Sequence, residues 1–341
     1  MIISASRRTD IPAHYADWFL ERVREGFALV RNPRNAHQIR RVSLRPEDVD
    51  GIVFWTKNPL PMLSRLKELS AYAYYFQATV TPYGPDVEPG IPDKEKVILP
   101  SLLRLSDEIG PGRVVWRCDP ILLSDRYTKE FHYQAFDSMA RRLAGRVARC
   151  TISFLDMYKN TARNAQAMGL APAFEADMLE MAEKIAAIAK THGIPVDACA
   201  EPLDFSRFGM GRAGCVDPAI LEAASGRPIA FKRQKGQRPG CGCADSVDIG
   251  AYNSCPNGCG YCYANFSPSL TRENLARHDN HSPLLCGRLD GTPERLRTPE
   301  RRTLAAFPSG TLNVREPRSA AHLPLLCGRR QLKRKVRRIS Q

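Results

Sequence analysis

The chain has 341 residues, 43% of them hydrophobic, and a formal net charge of +14; that is ample for a real core in one large α/β domain or two smaller ones. No run of 18 apolar residues occurs, which excludes a transmembrane helix and predicts a soluble protein with no membrane partner. Residues 301–341 hold 11 Lys and Arg against one acid, Glu316, so +10 of the +14 belongs to this end, and the surplus points only weakly to nucleic acid as a partner.

Taken in chain order, short β-branched runs alternate with amphipathic stretches, the pattern of βα units on a parallel sheet. Strands are predicted at residues 2–6, 27–31, 51–56, 74–80, 113–118, 150–155, 195–200 and 228–233, with a further ribbon at 37–44 beside the second. Helices are predicted at 12–25, 60–69, 94–109, 129–146 and 175–191. The last is the clearest: its apolar residues recur at helical spacing from Met178 to Ala189, and Gly193-Ile-Pro195 stops it. Eight strands interleaved with helices predict a complete or partial (β/α) barrel of parallel strands, the alternative being an open doubly wound sheet.

In either fold the active site lies at the carboxyl ends of the strands. That rule nominates Arg7, Arg8 and Asp10 after the first strand, Lys57 after the third, Arg117 and Asp119 after the fifth, and then Asp156, Glu201 and Lys232. Such a ring of guanidiniums and carboxylates suits a zwitterionic cofactor and an anionic substrate. Arg8, Asp10, Asp119 and Glu201 are the candidate catalytic groups, and Arg7 and Lys232 candidate cofactor contacts. Asp10, followed by Ile11-Pro12, is also a good helix N-cap.

The most informative motif is Cys255-Pro-Asn-Gly-Cys259-Gly-Tyr-Cys262, a C-x3-C-x2-C triplet whose Pro and Gly residues suit a tight loop. Three thiolates can each hold one iron of a four-iron, four-sulfur cube and leave the fourth iron open. Structural zinc favours four ligands in paired knuckles, and here only Cys259 and Cys262 form one. Disulfides are disfavoured by the odd total of 11 cysteines and by an opening that lacks an apolar leader, which predicts a cytoplasmic location. Cys241 and Cys243, a C-x-C pair upstream, leave three readings open: a second metal cluster, a fourth ligand to the first, or spare thiols in a glycine-rich turn. Cys118, Cys150 and Cys199 sit in or beside apolar runs and are expected to pack as small hydrophobes.

The triplet resembles the signature of radical S-adenosylmethionine enzymes. The stretch Cys241–Asn265, with the opening Ile3-Ser-Ala-Ser-Arg-Arg-Thr-Asp-Ile-Pro12, looks like the domain-of-unknown-function 1848 family over residues 1–290. The resemblance implies a 4Fe-4S cluster on Cys255, Cys259 and Cys262, S-adenosylmethionine as cofactor, Tyr261 near its adenine, a reductant such as flavodoxin or ferredoxin that reduces the cluster, and an unknown substrate. The triplet normally follows the first barrel strand, whereas here it comes late, as in a circular permutation, so a strand before Cys255 is needed to place the loop at the barrel mouth. The chain divides on this reading into a barrel-like domain (1–235), a cysteine-rich cluster-binding segment (236–290) and a basic tail (291–341) expected to be disordered. Two further function classes compete: a non-catalytic zinc or iron-sulfur protein that binds nucleic acid, and a metal-independent hydrolase using Asp119 and Glu201 as acid and base.

Overall fold

The computed structural model describes residues 1–156, 162–170, 172–236, 238, 240–287 and 295–297. The described residues fall in one compact unit, and of the basic tail (291–341) only Arg295–Arg297 is described, the rest lying outside the described residues. Eleven strands are described: β1 (Ile2–Ala5), β2 (Phe27–Asn32), β3 (Asn35–Ser43), β4 (Gly51–Thr56), β5 (Tyr74–Thr79), β6 (Val114–Ile121), β7 (Arg149–Phe154), β8 (Val196–Ala198), β9 (Gly211–Arg212), β10 (Ser246–Asp248) and β11 (Arg295–Arg297). The helices are α1 (Ile11–His14), α2 (Ala16–Glu25), α3 (Leu60–Leu63), α4 (Leu99–Ile109), α5 (Lys129–Leu143), α6 (Ala162–Ala167), α7 (Glu175–Thr191), α8 (Pro218–Ser225) and α9 (Pro268–Ala276).

Eight strands form one sheet in the order β10-β1-β4-β5-β6-β7-β8-β9, and every pairing in it is parallel. The ladder does not close into a barrel: β10 and β9 are its edges. Beside them a backbone hydrogen bond from Ala244 N to Val216 O (2.9 Å) links the segments that flank the two edge strands. Six of the eight predicted strands take their places in this sheet. The 27–31 run instead pairs antiparallel with β3, as the predicted ribbon, and residues 228–233 form no strand. There only Ile229 is buried while its neighbours are exposed, so a ladder at that position would bury little beyond that one side chain. The missing places go to β9 and β10, with two and three residues, too short to show any period. β10 supplies the strand before Cys255.

Strand register sorts the side chains into two faces, because alternate residues point to opposite sides. Outward-facing Ile3, Phe54, Phe76, Trp116 and Ile152 pack with Phe19 of α2, Leu102 of α4, Phe136 of α5 and Ile185 of α7 in the main core, with Trp116 stacked on Phe136 at 4.8 Å. Strands buried on both sides read as nearly continuous apolar runs, which is why six were legible. The inner face is different. Its lower part, Ile2, Val53, Tyr75 and Val115, is sealed by Ile220 and Leu221 of α8, so closely that a Cβ on Gly51 would lie 2.6 Å from a Leu221 methyl. Toward the carboxyl ends it turns polar: Trp55 pairs in register with Gln77, and Thr79 with Arg117 and Thr151 in turn.

Candidate active site

The inner face opens into a cavity of about 480 Å³, lined by residues from the exits of β1, β4, β5, β6, β7 and β8 and from the cysteine loop after β10. Its construction begins at Asp248, the last residue of β10. This carboxylate accepts hydrogen bonds from Ser4 Oγ (3.1 Å), Ser6 Oγ (2.6 Å) and Arg7 N (2.8 Å), tying β10 to the exit of β1. The chain then passes Ser6 at Gly250, where a Cβ would lie 2.1 Å from the Ser6 hydroxyl; only glycine fits.

The cysteine loop is held on both sides. Tyr15 OH donates to Ser254 O, and His14 Nε2 lies 2.7 Å from Asn257 Oδ1. On the other flank Gly90 N donates to Asn257 O and Gly260 N to Val87 O, both at 2.9 Å, with Gly90 so close that a Cβ would meet Asn257 O at 2.7 Å. Within the loop Cys262 N donates to Cys259 O (3.0 Å). All three cysteines line the cavity. Burial pushes their thiols up, Cys259 to about 12, so without a cation they are neutral at pH 7; a bound metal reverses this, since coordination deprotonates a thiol.

Tyr261 reaches the cavity between these cysteines and is fixed by a buried ion cluster. Its OH donates to Glu88, its ring lies 5.4 Å from Lys57 Nζ and its edge meets Tyr83. Glu88 also takes Lys57 Nζ at 2.8 Å, Lys94 Nζ and Thr81 Oγ1. Burial pushes the Glu88 carboxyl up, but Lys57 and Lys94 outweigh it and hold Glu88 at about 2. Glu88 escaped the sequence reading because it lies in a proline-rich loop with no period or motif.

The strand-end residues divide. Arg7 and Arg117 each place a guanidinium 5.3 Å from the Trp55 ring centre, so Trp55, missed in the sequence, is shared by two cations. Arg117 pairs with Asp119 through Nε (2.9 Å) and Nη2. Asp10 does two jobs: Oδ1 caps α1 at Ala13 N (3.1 Å), and Oδ2 accepts from Lys57 N (2.7 Å). Arg8 lies over Tyr252 at 5.2 Å. All of these except Tyr252 line the cavity, as do Cys241 and Cys243. Glu201 does not: it borders a smaller neighbouring cavity and accepts from Phe154 N (2.9 Å), its carboxyl pushed up to about 7 by burial. Lys232 is exposed and lines neither cavity; it contributes only its carbonyl, to Asp245 N.

Among the described residues, no three His, Cys, Asp or Glu side chains already surround a point that could hold a single metal ion. A four-iron cube does not require that, because each cysteine ligates a different iron. The donor set fits such a cube in kind, with three thiols on one braced loop facing one cavity. Two buried polar atoms on the same lining, Arg7 Nη2 and Thr9 Oγ1, lack hydrogen-bond partners, and this fits a polar ligand between them. Among the described residues no helix is long and apolar enough to cross a membrane.

Comparison with curated proteins gives no match. The family model described as Domain of unknown function (DUF1848) matches residues 2–264, from β1 through the third cysteine of the triplet, and the chain belongs to that family.

Proposed function

We propose that this protein is an iron-sulfur enzyme of the radical S-adenosylmethionine type, with the cluster on Cys255, Cys259 and Cys262. One observation carries the reading: the triplet follows a parallel strand and opens into the cavity that the other strand ends line. When bound, the cluster and its cofactor supply a one-electron cleavage that yields a radical able to abstract hydrogen from an unactivated C–H bond, the electron coming from a carrier such as flavodoxin or ferredoxin.

The chain's own residues bind, orient and exclude water. Tyr261, clamped by Glu88 and Lys57, offers a rigid aromatic edge for a nucleobase beside the cysteines. Arg7 Nη2 and Thr9 Oγ1 are free to take a carboxylate or hydroxyl. Arg8 and the Arg117–Asp119 pair sit across the cavity, where they can position an anionic group of the substrate. Asp10 ties the exit of β1 to that of β4 by accepting from Lys57 N (2.7 Å) and to the cysteine loop by accepting from Asn257 Nδ2 (3.4 Å).

Anaerobic reconstitution tests the reading, with iron and zinc quantified and EPR spectra of the reduced protein recorded with and without S-adenosylmethionine. About four irons per triplet, with a signal perturbed by the cofactor, is the expected result. Reconstituted protein whose Cys255, Cys259 and Cys262 take up zinc and no iron would overturn it.

A further inference from the structure

Two thiols meet on the wall of the main cavity, away from the triplet loop. Cys199 follows β8, and Cys215 comes three residues after β9. Their sulfurs lie 3.1 Å apart, and both residues line the cavity. Cys118 and Cys150, by contrast, face outward into the main core and line neither cavity.

The main chain on both sides of this contact is anchored. Ala198 and Arg212 are in register, and Cys199 N donates to Ile152 O and Ala213 N to Ala198 O, both at 2.9 Å. Tyr75 OH and Gln77 Nε2 both donate to Cys215 O, at 2.7 and 2.9 Å. A Cβ on Gly214 would lie 3.1 Å from Gly242 O, so the chain just before Cys215 runs close against its neighbour. Two fixed stretches of backbone thus bring the sulfurs together. A disulfide bond needs a separation of about 2.05 Å, about 1 Å less than the present contact and within reach of side-chain rotation.

The two sulfurs are not equivalent. Cys215 Sγ also accepts from Arg117 Nη1 at 2.9 Å. The hydrogen bond between the thiols pushes Cys199 up and Cys215 down; burial then pushes up both, and leaves Cys215 at about 11 and Cys199 well above the ordinary thiol range. Both are therefore neutral at pH 7 and the pair rests reduced, with Cys215 the sulfur that ionises first.

We propose that Cys199 and Cys215 are a redox-active pair, a site of reversible disulfide formation by hydrogen peroxide entering the cavity. Cys215 attacks one peroxide oxygen: an S–O bond forms, the O–O bond breaks, and the departing hydroxide leaves as water with the thiol proton. Cys199 then attacks the sulfenic sulfur of Cys215: the S–S bond forms, the S–O bond breaks, and the hydroxyl leaves as a second water with the Cys199 proton. Two thiols and one peroxide become one disulfide and two waters, and a dithiol reductant returns two electrons and two protons. The disulfide staples the exit of β8 to the segment after the edge strand β9, and it gives Arg117 Nη1 a disulfide sulfur in place of a thiol. The assignment does not depend on a cluster at the triplet.

Peptide mapping of the full chain tests it. The reduced protein is treated anaerobically with one equivalent of hydrogen peroxide, the remaining thiols are alkylated, and the chain is digested with trypsin. Cleavage after Lys190, Arg207, Arg212 and Lys232 puts Cys199 and Cys215 in separate peptides, 191–207 and 213–232, with no other cysteine in either. The expected result is that these two peptides are joined, lighter than their sum by two hydrogens, and are separated again by dithiothreitol. In denaturant the same treatment loses this selectivity. Cys199→Ser abolishes the link and leaves Cys215 as a sulfenic acid that dimedone captures. Folded wild-type chain in which both peptides are alkylated after peroxide, or in which Cys215 is joined to Cys241 or Cys243 instead, would overturn the assignment. The triplet lies in neither peptide, so failure here leaves the EPR test of the cluster unaffected, and failure there leaves this one.

Discussion

The two faces of the same parallel strands have been put to opposite uses. Outward, Phe54, Phe76, Trp116 and Ile152 meet helices and form the main core; inward, one residue away along each strand, Trp55, Gln77, Arg117 and Thr151 stand over the cavity or beside it. A shift of one residue changes which face a side chain joins, so a substitution at one position tests stability and its neighbour tests binding. The comparison teaches that the sheet's mechanical strength and its chemistry are separable, except where charged groups are buried between them.

The largest effect should come from the outer face. Phe136→Ala removes the ring stacked on Trp116 and should cost about 4 kcal/mol in chemical denaturation, while iron uptake by whatever protein remains folded is unchanged per chain. A stability change below about 1 kcal/mol would show that the outer layer repacks freely and would erase the distinction.

Next is Glu88, which belongs to both halves, being buried yet holding Tyr261. Glu88→Gln leaves Lys57 and Lys94 without their shared carboxylate and should cost about 3 kcal/mol at pH 7. The sign with pH follows from a native value of about 2 against the ordinary 4.5. As pH falls through this window the unfolded chain takes up the proton first, so Glu88's stabilisation is full above 4.5 and is lost toward 2. Denaturation curves of the variant should lack the part of the acid loss that the wild-type shows in this range; identical pH profiles would remove Glu88 as the source.

Glu201 predicts the opposite slope. Its carboxyl is raised to about 7 from 4.5, so the native state holds the proton longer and stability falls as pH rises between these values. Glu201→Gln keeps an acceptor for Phe154 N and removes the charge. It should be about 1–2 kcal/mol more stable than wild type above pH 7 and nearly equal below pH 4.5. Equal stability at both ends would mean that the carboxylate is better solvated than its burial indicates.

The smallest change in stability should be at the triplet. Cys259→Ala removes a thiol that contacts the cavity and should shift the denaturation midpoint of the metal-free chain by less than about 1 kcal/mol, yet prevent a complete cluster from forming on the loop. A metal-free chain that unfolds without Cys259 would tie the loop to the core and break the separation between faces.

The sequence by itself determined what repeats or what carries a dense local signal. Six strands and the long helices were legible because burial on both faces, or on one helical stripe, leaves an apolar period in the chain. The triplet was legible because its three cysteines lie within eight residues of one another, and Asp10 could be read as an N-cap from Ile11-Pro12 alone. Only the tertiary structure decided the rest. Whether the ladder closes depends on β9 and β10, whose few residues carry no period, and Pro228–Arg233 is strand-like in composition yet buries only Ile229. Likewise Cys199 and Cys215, separated by 16 residues from each other and further from Cys243, share a wall only because parallel strands bring their exits to one edge. Contacts of this kind are set by register and curvature summed over the whole sheet, and no local stretch of sequence contains them.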